Sequence, residues 1–375
     1  MITRLSFKEG VFIATKGEFG YQDVLDDFQY AKQIRIATFN ISFSEKDDPL
    51  FEGLQKLNED VDIKFVSNIP ARMSFYASSP KGKSFKERAS ANINAYLKKL
   101  NPADFDAVIL PYFNFNNHSK IIGTENIIYI GSENYSVESS QNYESGVLVS
   151  DKEFIVKLYE LFFEKLIDES VPYFNDDYDQ LRLFTMSILT RMLNHFESYK
   201  DKFFSVNREG IFYFIEDETS FTEDDIYVLL HDLNELNSIQ GLVESIESDD
   251  DKTINILSYM VDICESMHAD SFIELIEYDT NFYNYVIFNR ADETIDIFDK
   301  EYSGIADEEW LEHYLEIAAD EANDKFEEIC NEVSADVYAV KDHFDDIIDK
   351  LKELMIKIRD LSEDSVNPAI DNTSR

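Results

Sequence analysis

Residues 118–134 read HSKIIGTENIIYIGSEN, and this stretch decides how the fold is interpreted. His118 and Lys120 begin an apolar run, and on a strand two residues at this spacing point to the same face. Residues 123–126 have the composition of a tight turn, and residues 127–130 form a second apolar run. The stretch therefore predicts a β-hairpin that carries a histidine and a lysine on its first strand.

The polar residues of this stretch form a chemically specific set. Ser132 and Asn134 follow the second apolar run and can converge on His118 and Lys120. The histidine offers a nucleophile, the lysine a positive charge, and the serine and asparagine neutral hydrogen-bond donors. Attack on a phosphodiester needs these three functions. We therefore expect a site for phosphodiester chemistry at this hairpin.

Six residues of the stretch resemble the HKD motif of the phospholipase D superfamily: His118-x-Lys120-x4-Glu125, then Gly131-Ser132-x-Asn134. The resemblance extends over residues 10–168 and includes the order of the predicted strands and helices. Glu125 stands where the family has aspartate, and the turn beside it is one residue shorter than the family's usual spacing. Because this acidic position is usually structural, the departure predicts altered turn geometry and unchanged chemistry.

The resemblance implies a role for each residue of the site. His118 would attack phosphorus and form a phosphohistidine intermediate. Lys120 would balance the developing negative charge, and Ser132 and Asn134 would donate hydrogen bonds. Glu144 would accept a hydrogen bond from the other imidazole nitrogen and so fix the tautomer. Because lysine supplies the positive charge, the resemblance implies no metal ion and no cofactor.

The motif occurs once in the chain. The remaining histidines, none of which has a lysine two residues further on, are His195, His231, His268, His313 and His343. The family reaction uses two histidines, one that attacks and one that protonates the leaving oxygen. The resemblance therefore implies a homodimer, formed through the N-terminal domain, with the site on the two-fold axis.

Hydrophobic patterning predicts an α/β domain over residues 1–170 and an acidic, mainly α-helical regulatory or interaction domain over residues 171–375. In the first domain, strand-like segments alternate with helical ones, which is typical of βαβ units on a largely parallel sheet. The resemblance implies that the fold class is a phospholipase D-like mixed sheet flanked by helices. The predicted strands and helices of this domain are Gln33–Phe43, Pro49–Asn58, Val61–Val66, Ser84–Leu100, Asp106–Tyr112, His118–Ile122, Ile127–Ile130, Gly146–Val149 and Asp151–Asp168.

The second domain has helical periodicity throughout most of its length. A small β-hairpin is predicted from Phe282–Phe288 and Thr294–Phe298, on either side of an Asn289 turn. Glu308–Val333 and Val337–Leu361 predict an antiparallel pair of long helices. The other predicted helices are Tyr178–Tyr199, Glu223–Leu236 and Thr253–Met267.

Charge divides the chain unevenly. Residues 1–170 contain 19 Lys and Arg against 25 Asp and Glu, whereas residues 171–375 contain 15 against 51. The second domain, at −36, is therefore not a nucleic-acid binder. It is either a soluble helical domain, a module that binds a protein partner, or an inhibitor whose carboxylates imitate phosphates.

The basic residues of the first domain are concentrated in one segment, Lys81–Lys99. This basic segment is either a solvated loop and helix face or a contact for a nucleic-acid backbone. The four residues predicted to bind the substrate there are Lys81, Lys83, Lys86 and Arg88.

The sequence predicts a cytoplasmic protein that does not use a membrane. No segment approaches the roughly 18 apolar residues of a spanning helix, and the first residues do not have the apolar run of a signal peptide. The leading function is a metal-independent phosphodiesterase, a nuclease in bacterial defence or DNA processing, gated by the acidic half. The alternatives are a phospholipase or small-phosphodiester hydrolase, and a non-catalytic scaffold. The identity of the substrate and its strand preference stay open.

Overall fold

The computed structural model describes residues 7–42, 48–70, 85–206, 212–214, 221–244, 246, 250–306 and 309–361. The chain divides into two compact units, one of residues 1–190 with 358–375 and one of residues 191–357. The domain boundary that the sequence patterning places after residue 170 stays a prediction.

The described residues of the first unit form a mixed eight-stranded sheet with the order β1-β7-β6-β5-β2-β3-β4-β8. Strands β2, β3 and β4 run parallel to one another, and the other neighbouring pairs are antiparallel. The strands are β1 Gly10–Thr15, β2 Gln33–Thr38, β3 Asp62–Ser67, β4 Val108–Phe113, β5 Ile121–Thr124, β6 Ile128–Gly131, β7 Glu144–Val149 and β8 Val171–Pro172.

The mixed sheet of the predicted fold class is confirmed, whereas a largely parallel sheet is wrong. The βαβ pattern holds for β2 to β4, but β5, β6 and β7 form an antiparallel meander because short turns connect them. The hairpin predicted around residues 123–126 is the β5–β6 pair. The strand predicted for His118–Ile122 begins only at Ile121.

A helical segment after β7 packs against the sheet. It begins at Asp151, whose side chain accepts hydrogen bonds from the backbone N–H groups of Glu153 and Phe154. One π-helical turn at Tyr159–Phe163 interrupts the α-helical periodicity and rotates the apolar face of the segment. Phe163 is therefore fully buried, while Leu161 is 52% exposed.

The described helices of the first part of the chain are α1 Gln22–Asp27, α2 Pro49–Leu54, α3 Phe85–Lys99, α4 Val137–Ser140, α5 Lys152–Leu158 and α6 Glu164–Asp168.

From residue 179 onward the described chain is mainly helical, as predicted. A short hairpin is formed by β9 Phe204–Val206 and β10 Phe212–Phe214. The helices are α7 Asp179–Phe203, α8 Glu223–Glu244, α9 Asp251–Ser266, α10 Ala269–Ile276, α11 Asn281–Ile287, α12 Arg290–Ile297 and α13 Leu311–Arg359. None of the described helices is long and apolar enough to cross a membrane.

The hairpin predicted at Phe282–Phe288 and Thr294–Phe298 is wrong, because both segments are helical. Asn289 is the N-cap of α12 and accepts hydrogen bonds from two backbone N–H groups of its first turn. A residue that favours turns also favours helix caps, and here the cap forms.

The antiparallel pair of long helices is also wrong. Residues 311–359 form one helix of 49 residues. The predicted connection contains no glycine or proline, and the Ser334 hydroxyl donates to the carbonyl of Asn331 at 2.8 Å within the helix. Nothing in these residues ends a helix, so it continues.

Candidate active site

One edge of the sheet collects the residues that were predicted to act together. Ile121, at the start of β5, pairs with Ile130 near the end of β6. Gly131, the last residue of β6, pairs with Gly146 in the first half of β7. His118 and Lys120 precede β5, Ser132 and Asn134 follow β6, and Glu144 begins β7. Antiparallel pairing therefore brings the five predicted residues to the same end of the meander.

His118 and Lys120 contact each other directly. Lys120 Nζ lies 3.1 Å from His118 Nδ1 and donates to the carbonyl of His118 at 2.8 Å. The two residues lie in the loop before β5, so the predicted position on a strand is wrong, but the loop still brings both side chains together. The imidazole is exposed, while Lys120 is 9% exposed. Burial lowers the pKa of the Lys120 ammonium, and the Glu144 carboxylate acts in the opposite direction.

An aromatic ring supports the pair. Phe39, the residue after β2, has its ring centroid 4.5 Å from that of His118. Lys120 Nζ lies 5.2 Å from the same phenyl centroid. A ring face that contacts both an imidazole and an ammonium fixes their positions and excludes water from one side of the lysine. Phe39 was not predicted from the sequence.

Buried asparagines hold the loop that carries His118. Asn117 Nδ2 donates to the carbonyl of Thr38 at 3.0 Å, and Asn117 Oδ1 accepts from the Ser119 N–H at 2.9 Å. Asn68 Nδ2 donates to the carbonyls of Phe115 and Asn117. These contacts satisfy backbone groups that a strand would otherwise pair, and they explain why the strand begins only at Ile121. The run Asn114-Phe115-Asn116-Asn117 was the available sequence signal.

Glu144 accepts hydrogen bonds from two serines. Ser132 Oγ donates to Glu144 Oε2 at 2.5 Å, and Ser139 Oγ donates to Glu144 Oε1 at 2.8 Å. The role predicted for Glu144 was to accept from His118, but among the described residues its hydrogen bonds are to the serines. Ser139 was not predicted, although the polar run after Gly131 pointed to this region.

Asn134 contacts Ser139, one of the two serines that donate to Glu144. Its backbone N–H donates to Ser139 Oγ at 3.1 Å. The amide oxygen of its half-buried side chain has no hydrogen-bond partner among the described residues. In the role that the resemblance implies, the amide nitrogen of Asn134 would donate to a phosphate oxygen.

Glu133 lies beneath the site, between Ser132 and Asn134 in sequence. The side chain is fully buried, and Glu133 Oε2 accepts from the Gly20 N–H at 2.8 Å. Burial raises the pKa of the Glu133 carboxyl to about 7, with the Glu144 charge acting in the same direction and the Gly20 hydrogen bond opposing it. This carboxyl was not predicted from the sequence.

Glu125, the acidic residue of the motif, lies at the other end of the hairpin. Its carboxylate accepts hydrogen bonds from the backbone N–H groups of Lys32 and Gln33, at the start of β2. These bonds tie the β5–β6 turn to β2. In this structure Glu125 therefore has the structural role that the sequence analysis predicted for its position.

The predicted substrate-binding lysines and arginine stay a prediction, because the structure does not describe their side chains. Lys81 and Lys83 lie outside the described residues, and Lys86 and Arg88 belong to α3 with side chains outside the described set. Lys99, at the end of the basic segment, pairs with Asp48 at 2.5 Å. The described residues contain no cluster of three or more His, Cys, Asp or Glu that could hold a metal ion.

No protein-family model matches the chain, and no curated protein matches it. Among solved structures, Nuc from Salmonella typhimurium, a phospholipase D family member, is 17% identical, covers 44% of this chain and 99% of its own, and has a TM-score of 0.27. NucT from Helicobacter pylori is 14% identical over 44% of this chain and 100% of its own, with a TM-score of 0.29. Phosphatidylserine synthase from Haemophilus influenzae is 14% identical over 44% of this chain and 40% of its own, with a TM-score of 0.33.

Proposed function

We propose that the chain is a metal-independent phosphodiesterase of the phospholipase D type, acting as a nuclease. One observation carries the proposal. The exposed His118 imidazole contacts the Lys120 ammonium at 3.1 Å, and Ser132, Asn134 and Glu144 lie at the same edge of the sheet. A nucleophile, a cation and hydrogen-bond donors are thereby held on neighbouring strand ends.

In the proposed reaction, an imidazole nitrogen of His118 attacks phosphorus. A nitrogen–phosphorus bond forms while the bond from phosphorus to the leaving oxygen breaks. Lys120 neutralises the charge that develops on the non-bridging oxygens. Because Lys120 is largely buried, its ammonium is poorly hydrated, which lowers its pKa and strengthens its interaction with an incoming phosphate. Water then attacks the phosphohistidine: a phosphorus–oxygen bond forms, the nitrogen–phosphorus bond breaks, and the water proton passes to the histidine that protonated the leaving oxygen.

The leaving oxygen needs a proton, and this requirement supports a homodimer. The histidine that attacks needs a free lone pair, whereas the histidine that donates the proton must be protonated. His118 cannot be in both states at once, and the motif occurs once in the sequence. We therefore propose that a second copy of the chain supplies the second His118 across a two-fold axis.

The acidic half is proposed to gate the site or to bind a protein partner. Its charge has the same sign as that of nucleic acid, so it repels the substrate. Glu312, Glu316 and Asp320 are exposed at one end of α13. Their joint replacement by glutamine and asparagine should raise the rate of DNA cleavage if charge exerts the gating. An unchanged rate would contradict charge gating and leave the catalytic proposal intact.

The proposed function is tested by DNA cleavage in EDTA. The parent protein should cleave single- or double-stranded DNA, and His118→Ala should lose activity, since it removes the nucleophile. His313→Ala is the matched control, because His313 is an exposed histidine of the other unit and should retain full activity. Activity that requires magnesium, or that survives in His118→Ala, would refute the mechanism. A fully active monomer, identified by light scattering, would refute the dimer.

A further inference from the structure

A lysine and a tyrosine stand together beside the candidate site, and the reaction described above uses neither. The Tyr143 side chain is 83% exposed, and it immediately precedes Glu144 in the chain. Lys16 Nζ lies 4.3 Å from the centroid of the Tyr143 ring. A large aromatic side chain left in water next to a candidate catalytic carboxylate is a feature that core packing does not explain.

The sheet determines the position of this pair. Thr15, the last residue of β1, pairs with Glu144, the first residue of β7. Lys16, the residue after β1, therefore lies beside Tyr143, the residue before β7. The Gly17 N–H donates to the carbonyl of Ser140 at 2.6 Å and fixes the loop beside the pair. The pair lies at the end of the meander that carries His118, and the Glu144 charge acts on Lys120 across this edge.

Lys16 differs from other cations of the first unit in its contacts. Arg35 pairs with Asp62, Lys64 with Glu164, and each of these cations is held at its carboxylate. No ion pair among the described residues involves Lys16, and its contact is with an aromatic face. Its positive charge therefore remains available to an anion at the edge of the site.

We propose that Lys16 and Tyr143 form a subsite for single-stranded nucleic acid, in which a base beside the scissile phosphodiester stacks on Tyr143 and an adjacent phosphate binds Lys16. The inference rests on the proposed function and names its substrate class. Lys16 lies over one face of the ring, and the opposite face remains for a base. An aromatic platform beside a cation is the usual arrangement for unpaired bases, since a base in a duplex does not present its face.

The surroundings of Tyr143 favour a nucleotide over a lipid. Gln141 and Asn142 are exposed beside it, so the ring stands in a polar environment. An acyl chain needs a contiguous apolar surface, which a single ring with polar neighbours does not offer.

Binding is measured in a His118→Ala background, so that cleavage does not interfere. The probes are a fluorescently labelled oligothymidylate and a labelled abasic strand of equal length, and the binding of each is measured by fluorescence anisotropy. Tyr143→Ala should weaken oligothymidylate binding by about 5-fold or more, while Tyr143→Phe should bind like the parent. The abasic strand should not distinguish Tyr143→Ala from the parent. Tyr30→Ala is the control, because Tyr30 is 70% exposed in the same unit and should have no effect.

Lys16→Gln tests the phosphate contact separately. The slope of log affinity against log salt should become shallower by about 0.7, the value for one phosphate contact on a single strand. An unchanged slope would overturn the role of Lys16. Equal oligothymidylate affinity in Tyr143→Ala and the parent, or an equal loss with the abasic strand, would overturn the stacking role.

The two proposals fail in different ways. Cleavage that depends on His118, together with binding that ignores Tyr143, would overturn only the subsite. Binding that depends on Tyr143, together with cleavage that survives in His118→Ala, would overturn only the proposed function. Binding to phosphatidylglycerol vesicles that requires Tyr143, with no binding of the oligonucleotide, would overturn the subsite in favour of a lipid surface.

Discussion

Replacement of Glu133 by glutamine should make the protein more stable at neutral pH and leave its stability at low pH unchanged. The carboxyl is fully buried, and its Oε1 atom has no hydrogen-bond partner among the described residues. Glutamine has nearly the same shape and keeps a carbonyl oxygen that can accept from the Gly20 N–H, as Glu133 Oε2 does at 2.8 Å. The substitution therefore removes a titratable proton and little else.

The sign and size of the effect follow from the pKa of this carboxyl. Burial raises the pKa of Glu133 from 4.5 to about 7. Between these two values the folded protein binds more protons than the unfolded chain, so the free energy of unfolding decreases as the pH rises. At 1.36 kcal/mol for each pKa unit, the loss above pH 7 amounts to about 3 kcal/mol. Glu133→Gln should recover about this amount at pH 8 and nothing near pH 4.5.

Urea unfolding of parent and variant at pH 5 and pH 8 measures this difference. Other titrating groups act equally in both proteins and cancel when the two pH values are compared. Glu52→Gln is the matched control, because Glu52 is an exposed glutamate of the same unit. It should shift the free energy of unfolding by the same small amount at both pH values. If the stability gain of Glu133→Gln is equal at pH 5 and pH 8, the reasoning about the buried carboxyl is wrong.

The remaining predictions concern contacts around the site and one buried ion pair. Ser139→Ala removes the hydroxyl that donates to Glu144 Oε1 at 2.8 Å. We expect kcat for DNA cleavage to fall about 10-fold while the circular dichroism spectrum stays unchanged, and an undiminished kcat would show that the serine is dispensable. Asn117→Ala removes a hydrogen bond that holds the loop carrying His118. The rate of DNA cleavage in steady-state assays should fall about 100-fold, whereas a parent-like rate would rule out this anchoring role. Arg182→Met leaves the buried Asp179 without the guanidinium that pairs with it at 2.5 Å. Chemical denaturation should show that the free energy of unfolding falls by about 3–5 kcal/mol. A decrease below about 1 kcal/mol, the size expected for an exposed pair, would contradict the cost assigned to the unpaired carboxylate.

Local patterns were sufficient where the relevant contacts are local. The turn at residues 123–126, the strands β2 to β4 and the helices after β7 follow from alternation and periodicity within short windows. The residues at the edge of the meander could also be predicted, because they match the motif that the sequence resembles, although His118 and Lys120 lie in the loop before β5 and not on the strand.

Contacts between distant segments could not be predicted from such windows. Asparagine is common in turns, so the sequence does not distinguish Asn68 and Asn117 from ordinary turn residues. Only the assembled sheet shows that they hold the loop that carries His118. Asn289 illustrates the same limit, since a turn and a helix cap favour the same residue. The π-helical turn at Tyr159–Phe163 rotates an apolar face by an amount that periodicity does not contain.

The meander has a consequence for the order in which activity is acquired during folding. Residues 118–144 contain the five predicted residues of the candidate site, and their strand pairings close short loops, which is fast. The bond between Asn117 and the carbonyl of Thr38 spans 79 residues, and the bond between Gly20 and Glu133 spans 113. Such long loops close later, because their entropic cost is greater. We therefore expect the strands of the site to form before its nucleophile is held in place, so that refolding protein regains β-structure earlier than it regains catalytic competence.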